Sequence, residues 1–171
     1  MGIVDKVGPE VTKVKPGDRV VASFQIACGK CRFCKQKISS MCERTNNSSV
    51  ENAMYGNRTA GMLGYSHFTG GYAGGQAEYV RLPFGDVNLL KIPDGVSDEQ
   101  ALYLSDFLPT SYNCVVDTGV NEGDVGGIWG RGPIVYLSRN EHLSRAPAES
   151  LESMQTGDWL TPNQSSPRLR L

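Results

Sequence analysis

The stretch CGKCRFCKQKISSMC, Cys28 to Cys42, holds four of the five cysteines of this 171-residue chain. Cys28, Cys31 and Cys34 are stepped as C-x2-C-x2-C, and Cys42 follows after a seven-residue gap. A C-x2-C step puts two sulfurs on one tight turn, so both reach a single ion without a large loop. Zinc takes four such thiolates in a tetrahedron at about 2.3 Å. With every position filled by protein, none is open to water or substrate. The spacing therefore predicts a structural zinc site with Cys28, Cys31, Cys34 and Cys42 as ligands. Metal binding there supplies on the order of 10 kcal/mol of folding free energy to a lobe with little core of its own.

Rival chemistries fit this stretch less well. Bacterial iron–sulfur runs also begin C-x2-C-x2-C but continue with x3-C-P, and here the gap is longer and no proline follows Cys42. A redox C-x-x-C is expected to open a helix beside a strand, and neither pattern is present. Disulfides are disfavoured by the compartment the sequence points to: MGIVDKVGPE has no export-signal pattern, so a cytoplasmic, reducing setting is expected. Lys30, Arg32, Lys35 and Lys37 surround the thiolates; they either soften the charge of a four-thiolate centre or form a solvated loop face. Cys114 sits apart on a helical pattern and reads as buried packing.

Composition bounds the rest. With 39% hydrophobic and 20% charged residues the chain reads as an ordinary globular protein. A formal net charge of −1 gives no electrostatic case for nucleic acid or an anionic membrane, despite the lysines of the lobe. No apolar run approaches the ~20 residues needed to span a bilayer.

Along the chain, residues 3–25 alternate apolar and polar positions around Gly8-Pro9 and Pro16-Gly17-Asp18 and predict β structure. The polar run from Cys42 to Leu63 predicts no regular element. Gln76–Leu82 alternates like a strand stopped by Pro83. Ser97, with Glu99 and Gln100 behind it, is a fair N-cap for a helix over 97–105, interrupted at Pro109. Residues 111–120 predict a second helix, and VGGIWGRGPIVYL, ending at Leu137, follows. From Ser138 the sequence turns polar and proline-containing, and it predicts a weakly folded tail with one short helix near Ala148–Met154.

GIVDKVGPEV, VKPGDRVV, the cysteine lobe, GGQAEYVRLP and LSDFLPT occur here in the order seen in zinc-dependent medium-chain alcohol dehydrogenases. Over residues 2–137 the chain resembles that family, and GYSHFTGGYAGGQAEYV with LSDFLPTSY resembles its formaldehyde dehydrogenase-like branch. The resemblance implies a mainly β chain with an α/β remainder. A GroES-like, partly open barrel over 1–105 carries the zinc lobe at 28–42. Residues 106–137 begin a Rossmann fold that binds NAD, and 138–171 form the divergent tail. The implied chemistry is hydride transfer between a small alcohol or aldehyde and NAD, with a catalytic zinc as Lewis acid. The four lobe cysteines match the family's structural-zinc ligands. Asp106 matches a catalytic-zinc ligand, Thr110 matches the threonine beside the nicotinamide, and Gly130, Gly132 and Pro133 match the glycine turn that opens the dinucleotide fold.

The resemblance also implies that pieces are missing. The family's other catalytic-zinc ligands lie on a cysteine and a Gly-His-Glu segment that precede the sequence beginning here at Met1. Neither His67 nor His142 stands in for them, and Asp106 alone cannot hold a catalytic zinc. Val135 occupies the place of the third glycine of G-x-G-x-x-G, and no strand pattern leads to Glu149 or Glu152, the acids at the ribose-binding distance. The expectation is a chain truncated at both ends, from a shortened, mis-spliced or frameshifted reading frame. It binds zinc but is inactive as an isolated chain. The alternative is a non-catalytic zinc-binding remnant that forms a homo-oligomer or pairs with a complete subunit.

Overall fold

The computed structural model describes residues 1–122, 124, 126–130, 132–145 and 151–154. The chain divides into two compact units, Met1–Asp106 and a second beginning at Phe107. In the first, β1 (Gly2–Ile3), β2 (Arg19–Ala22) and β3 (Gln25–Ile26) occupy the region expected to be β, with turns between them. The cysteine lobe follows, with one helical turn, α1 (Arg32–Lys35), and a 3-10 turn at Ser39–Met41. Next come α2 (Ser49–Tyr55), β4 (Gly61–Met62), α3 (Gly85–Asn88), β5 (Leu89–Lys91) and α4 (Asp98–Ala101). β2 is the centre of an antiparallel sheet ordered β1-β2-β5, and β3 pairs antiparallel with β4. These sheets do not close on one another, as a partly open barrel requires.

The core of this unit is small. Val21, Ile92 and Ala101 are buried together, with Val96 and Leu104 against them, so α4 covers one face of the sheet. Ser97 caps α4 through a capping box with Gln100. Arg19 ties β2 to this helix start by pairing with Asp98 and donating to the Val96 carbonyl at 2.9 Å. Lys91 on β5 meets the buried Asp18 at 2.8 Å. On the opposite flank, Asp86 accepts from the backbone N–H groups of Thr12 and Lys13 and from the Thr12 hydroxyl, which closes the 10–14 loop onto α3.

Two elements differ from the sequence expectation here. Gln76–Leu82 is not a strand: it is largely exposed, bends at residues 77–79 and has no paired neighbour among the described residues. Alternation prepares a strand, but only a hydrogen-bonding neighbour makes one. Conversely, α2 forms in a stretch with no apolar period. Its ends explain it: the Ser48 hydroxyl accepts from the Glu51 N–H, and Gly56 closes the helix in the left-handed region at φ 73°. Glu51 is almost fully buried, its carboxylate accepting from the Asn46 amide at 2.5 Å and from the Thr59 N–H and hydroxyl at 3.1 and 2.9 Å.

The second unit opens with α5 (Phe107–Asp117), followed by β6 (Gly126–Trp129), α6 (Pro133–Arg145) and β7 (Leu151–Met154). Pro109 does not interrupt the helical region; it lies in the first turn of α5, where its missing N–H costs nothing. Ser111 and Val115, one turn apart, form the buried face of α5, which leaves Cys114 exposed rather than packed inside. β6 and β7 pair in parallel, with Gly126 opposite Leu151 and Trp129 opposite Met154. The helix expected near Ala148–Met154 is thus replaced, over its last four residues, by a strand. A parallel neighbour outweighs the weak helical preference of that short run. Residues 146–150 and 155–171, which include Glu149, lie outside the described residues.

Two outcomes follow for stability. Glu51→Ala removes the acceptor shared by the buried Asn46 amide and the half-buried Thr59 N–H and hydroxyl and is expected to cost about 2 kcal/mol in urea unfolding, with Glu51→Gln costing less. Asp86, held below the usual carboxylate range by the Lys13 N–H and the Thr12 side chain, stabilises the fold fully above its unfolded pKa of about 4. That contribution is lost as pH falls through the depressed folded value. Unfolding midpoints measured from pH 6 down to pH 2 are expected to drop less steeply in Asp86→Asn than in the parent.

Candidate metal centre

The four lobe cysteines converge. Their Sγ atoms all lie within 4.8 Å of one another, with Cys28 and Cys34 at 4.0 Å and Cys31 and Cys42 at 3.9 Å. A zinc tetrahedron with bonds of about 2.3 Å has sulfur–sulfur edges of about 3.8 Å. The sulfurs therefore already stand close to the spacing of one four-coordinate ion. Cys28, Cys31 and Cys42 are buried and Cys34 is half-buried. The lobe's own core is made of these residues with Ala60, and Phe33 lies against them.

Backbone geometry turns donors toward the sulfurs. The N–H groups of Lys30 and Cys31 point at Cys28 Sγ at 3.4 and 3.3 Å, and the Cys28 N–H points at Cys42 Sγ at 3.4 Å. Such bonds favour thiolate over thiol. Burial opposes ionisation of Cys42, but the Thr45 side chain and the N–H groups of Arg44 and Cys28 outweigh it and bring the thiol down to about 6. The N–H of Cys34 leads the groups that lower Cys31. Cys34 moves the other way: burial, reinforced by Cys31 and Cys42, pushes it up to about 12. Four like charges at this spacing do not coexist without a cation, so some thiols hold their protons for the others. The donor set, its spacing and its burial fit a thiophilic divalent ion. The arrangement is positioned to bind a metal, and no ligand position is left over for chemistry.

Two braces hold the lobe against the sheet. The Asn88 side chain pairs with Ala27 as a strand would, accepting from its N–H at 2.8 Å and donating to its carbonyl at 2.9 Å. Gly29, at φ 71°, sits so close to Val87 that a Cβ there would meet its Cγ2 at 2.8 Å. Neither brace is visible in the cysteine spacing. Asn88 gives no sequence signal at all, while Gly29 is at least a glycine inside a ligand turn. Of the surrounding cations, Arg32 lies over the Phe33 ring at 4.5 Å and 3.6 Å from Glu43, while Lys30, Lys35 and Lys37 are exposed.

Among the described residues, these cysteines form the only group of three or more metal-competent side chains placed to share an ion. Asp106, the last residue of the first unit, falls outside it, as does His67 in a 3-10 turn at His67–Thr69. His142 lies on α6. Thr110 is in the first turns of α5. Gly130 follows β6 at φ 117°, a conformation open to glycine, and Pro133 is the first residue of α6, directly behind Gly132. Val135, in the place of a third glycine, packs toward Gly130. Glu152 lies on β7 opposite Gly127, so a strand does carry an acid at that position.

Residues 1–94 match the alcohol dehydrogenase GroES-like domain. The chain belongs to that family. It is 42% identical over 139 residues to a zinc-type alcohol dehydrogenase-like protein of Schizosaccharomyces pombe, an alignment covering 81% of this chain and 33% of that protein. It is 39% identical over 137 residues to a glutathione-independent formaldehyde dehydrogenase of Pseudomonas aeruginosa, covering 78% and 32% respectively. Among solved structures, the alcohol dehydrogenase TADH from Thermus sp. ATN1 superposes with a TM-score of 0.75 at 32% identity, over 89% of this chain and 39% of the other. The chain thus spans about a third of the length of its relatives. No described helix is long and apolar enough to cross a membrane.

The tight turn at Gly29 gives a direct check of the lobe. Gly29→Ala is expected to lower the thermal midpoint and to speed loss of bound metal to a chelator. Adding Val87→Ala relieves the clash but not the left-handed backbone, so it restores only part of both.

Proposed function

We propose that Cys28, Cys31, Cys34 and Cys42 hold one zinc as a structural ion. The observation that carries this reading is the convergence of four largely buried sulfurs within 4.8 Å. When bound, the ion cross-links the 28–42 loop and relieves the repulsion among its thiolates. By its family, the whole protein is an oxidoreductase moving hydride between a small alcohol or aldehyde and NAD, in the cytoplasm, with no nucleic-acid or membrane partner. Toward NAD, Gly130, Gly132 and Pro133 supply the turn at the start of α6, whose N-terminal amides suit a phosphate group. Thr110 contributes beside the nicotinamide and Asp106 at a catalytic zinc.

In this chain by itself we propose that turnover is absent. A catalytic zinc needs three protein ligands and an open position, and Asp106 lies in no group of the described residues able to share an ion. A second reading, a zinc-binding remnant that pairs with itself or with a complete subunit, draws on the sheet order β1-β2-β5. Both outer strands are edges, with Ile3 70% exposed, and such edges recruit partners.

One preparation tests these readings. Elemental analysis of the folded, reduced chain is expected to give one zinc per chain, lost in Cys28→Ser, with no NAD reduction in the presence of formaldehyde or short alcohols. No zinc overturns the metal reading. Two zincs, or measurable turnover, overturns the proposed inactivity and brings Asp106 into the catalytic site. A sedimentation profile showing dimer favours the pairing remnant.

A further inference from the structure

A buried hydroxyl adds a further link between the metal centre and the rest of its unit. Thr45 is 3% exposed and lies three residues beyond Cys42. Its Oγ1 donates to the Ile26 carbonyl at 2.8 Å, lies 3.5 Å from the Cys42 carbonyl, and accepts from the Gly61 N–H at 3.0 Å. Ile26 is on β3 and Gly61 is its register partner on β4, so one oxygen spans both strands of that pair at the end nearer the lobe. The Thr45 carbonyl is fixed in turn by the Tyr72 hydroxyl at 2.8 Å. Ile26 leads through Ala27 directly into Cys28, and Cys28 donates its N–H to Cys42 Sγ. A closed circuit results: Thr45 to Ile26, along the chain to Cys28, across to Cys42, and back to Thr45.

Resting on the reading of the four cysteines as a metal site, we propose that Thr45 is a positioning residue of that centre. Its hydroxyl sets the separation of the first and last ligands, Cys28 and Cys42, and keeps their sulfurs at tetrahedral spacing. Ligands on a long loop retain metal only when their backbone is fixed, and partners outside the coordination sphere typically change metal affinity by about 10- to 100-fold. The hydroxyl is the working group. Valine matches threonine in shape but offers neither donor nor acceptor, so the Gly61 N–H and the Ile26 carbonyl lose their bonds to the hydroxyl. Serine keeps both functions.

The test uses the full chain loaded with zinc, and separately with cobalt(II) as a spectroscopic probe. Thr45→Val is expected to bind one metal but release zinc to a chelator about tenfold faster than the parent, with a shifted thiolate-to-cobalt charge-transfer band. Thr45→Ser is expected to stay within about twofold of the parent, with an unshifted band. Tyr72→Phe, which loses only the bond to the Thr45 carbonyl, is expected to lower the thermal midpoint without moving the band. Should Thr45→Val fail to fold, Thr45→Ala, which introduces no new branch, makes the same comparison. Metal bound by all variants with equal release rates and identical bands overturns the proposal and leaves the metal site standing. So does a serine variant as impaired as the valine one. A parent chain that takes up neither zinc nor cobalt overturns the metal reading, and this proposal with it.

Discussion

Mutual repulsion of thiolates is the constraint on which the first unit turns. Sulfurs at 3.9–4.0 Å are held by the chain's own turns and amides, and their burial removes the water that would screen them. The protein has bound itself to a cluster that is unfavourable unless protons or a cation neutralise it. The opposed thiols, Cys42 near 6 and Cys34 near 12, express the proton solution. A divalent ion is the better one, because it serves all four sulfurs at once.

The scale of that choice shows in the core around it. Outside the lobe, the buried apolar residues of this unit are few and small: Val21 and Ile92 packed with Ala101 of α4, and also Val14, Val20, Ile26 and Ala27. A domain's whole stability is about 5–15 kcal/mol, and a structural zinc contributes on the order of 10 kcal/mol of folding free energy. For a unit with so thin an apolar interior, the metal is comparable to everything else combined. Polar struts take up much of the remaining burden. Asn88 acts as a surrogate strand for Ala27, Glu51 gathers Asn46 and Thr59, and Asp86 closes the 10–14 loop. Each replaces sheet pairing that two- to four-residue strands cannot supply.

This division explains what was legible in the sequence. The metal centre was readable because ligand chemistry demands particular residues at short spacing, and Cys28 to Cys42 satisfy it within one loop. The cap at Ser97 was readable for the same reason: its partner Gln100 is three residues away. The gross architecture came through family motifs rather than periodicity. What failed depended on distant neighbours. Gln76–Leu82 alternates correctly but has no paired strand, and Leu151–Met154 lacks a strong strand pattern but has one. Cys114 was misplaced because a helix's buried face is set by what packs on it. Here α6 approaches α5 through the buried Ser138 and Ser111, a contact no apolar count would flag.

The same logic separates holding a metal from using one. Four protein thiolates complete a tetrahedron, so the lobe has no position to offer a substrate however its loop moves. Catalysis needs the opposite, an incomplete shell with ligands contributed by distant parts of a chain. The local requirement is met within fifteen residues and survives in a sequence that covers a third of its relatives' length. The distributed requirement is met only when all contributing segments are present together. The two kinds of metal site thus draw on different ranges of a chain, one on a single loop and the other on segments far apart in sequence.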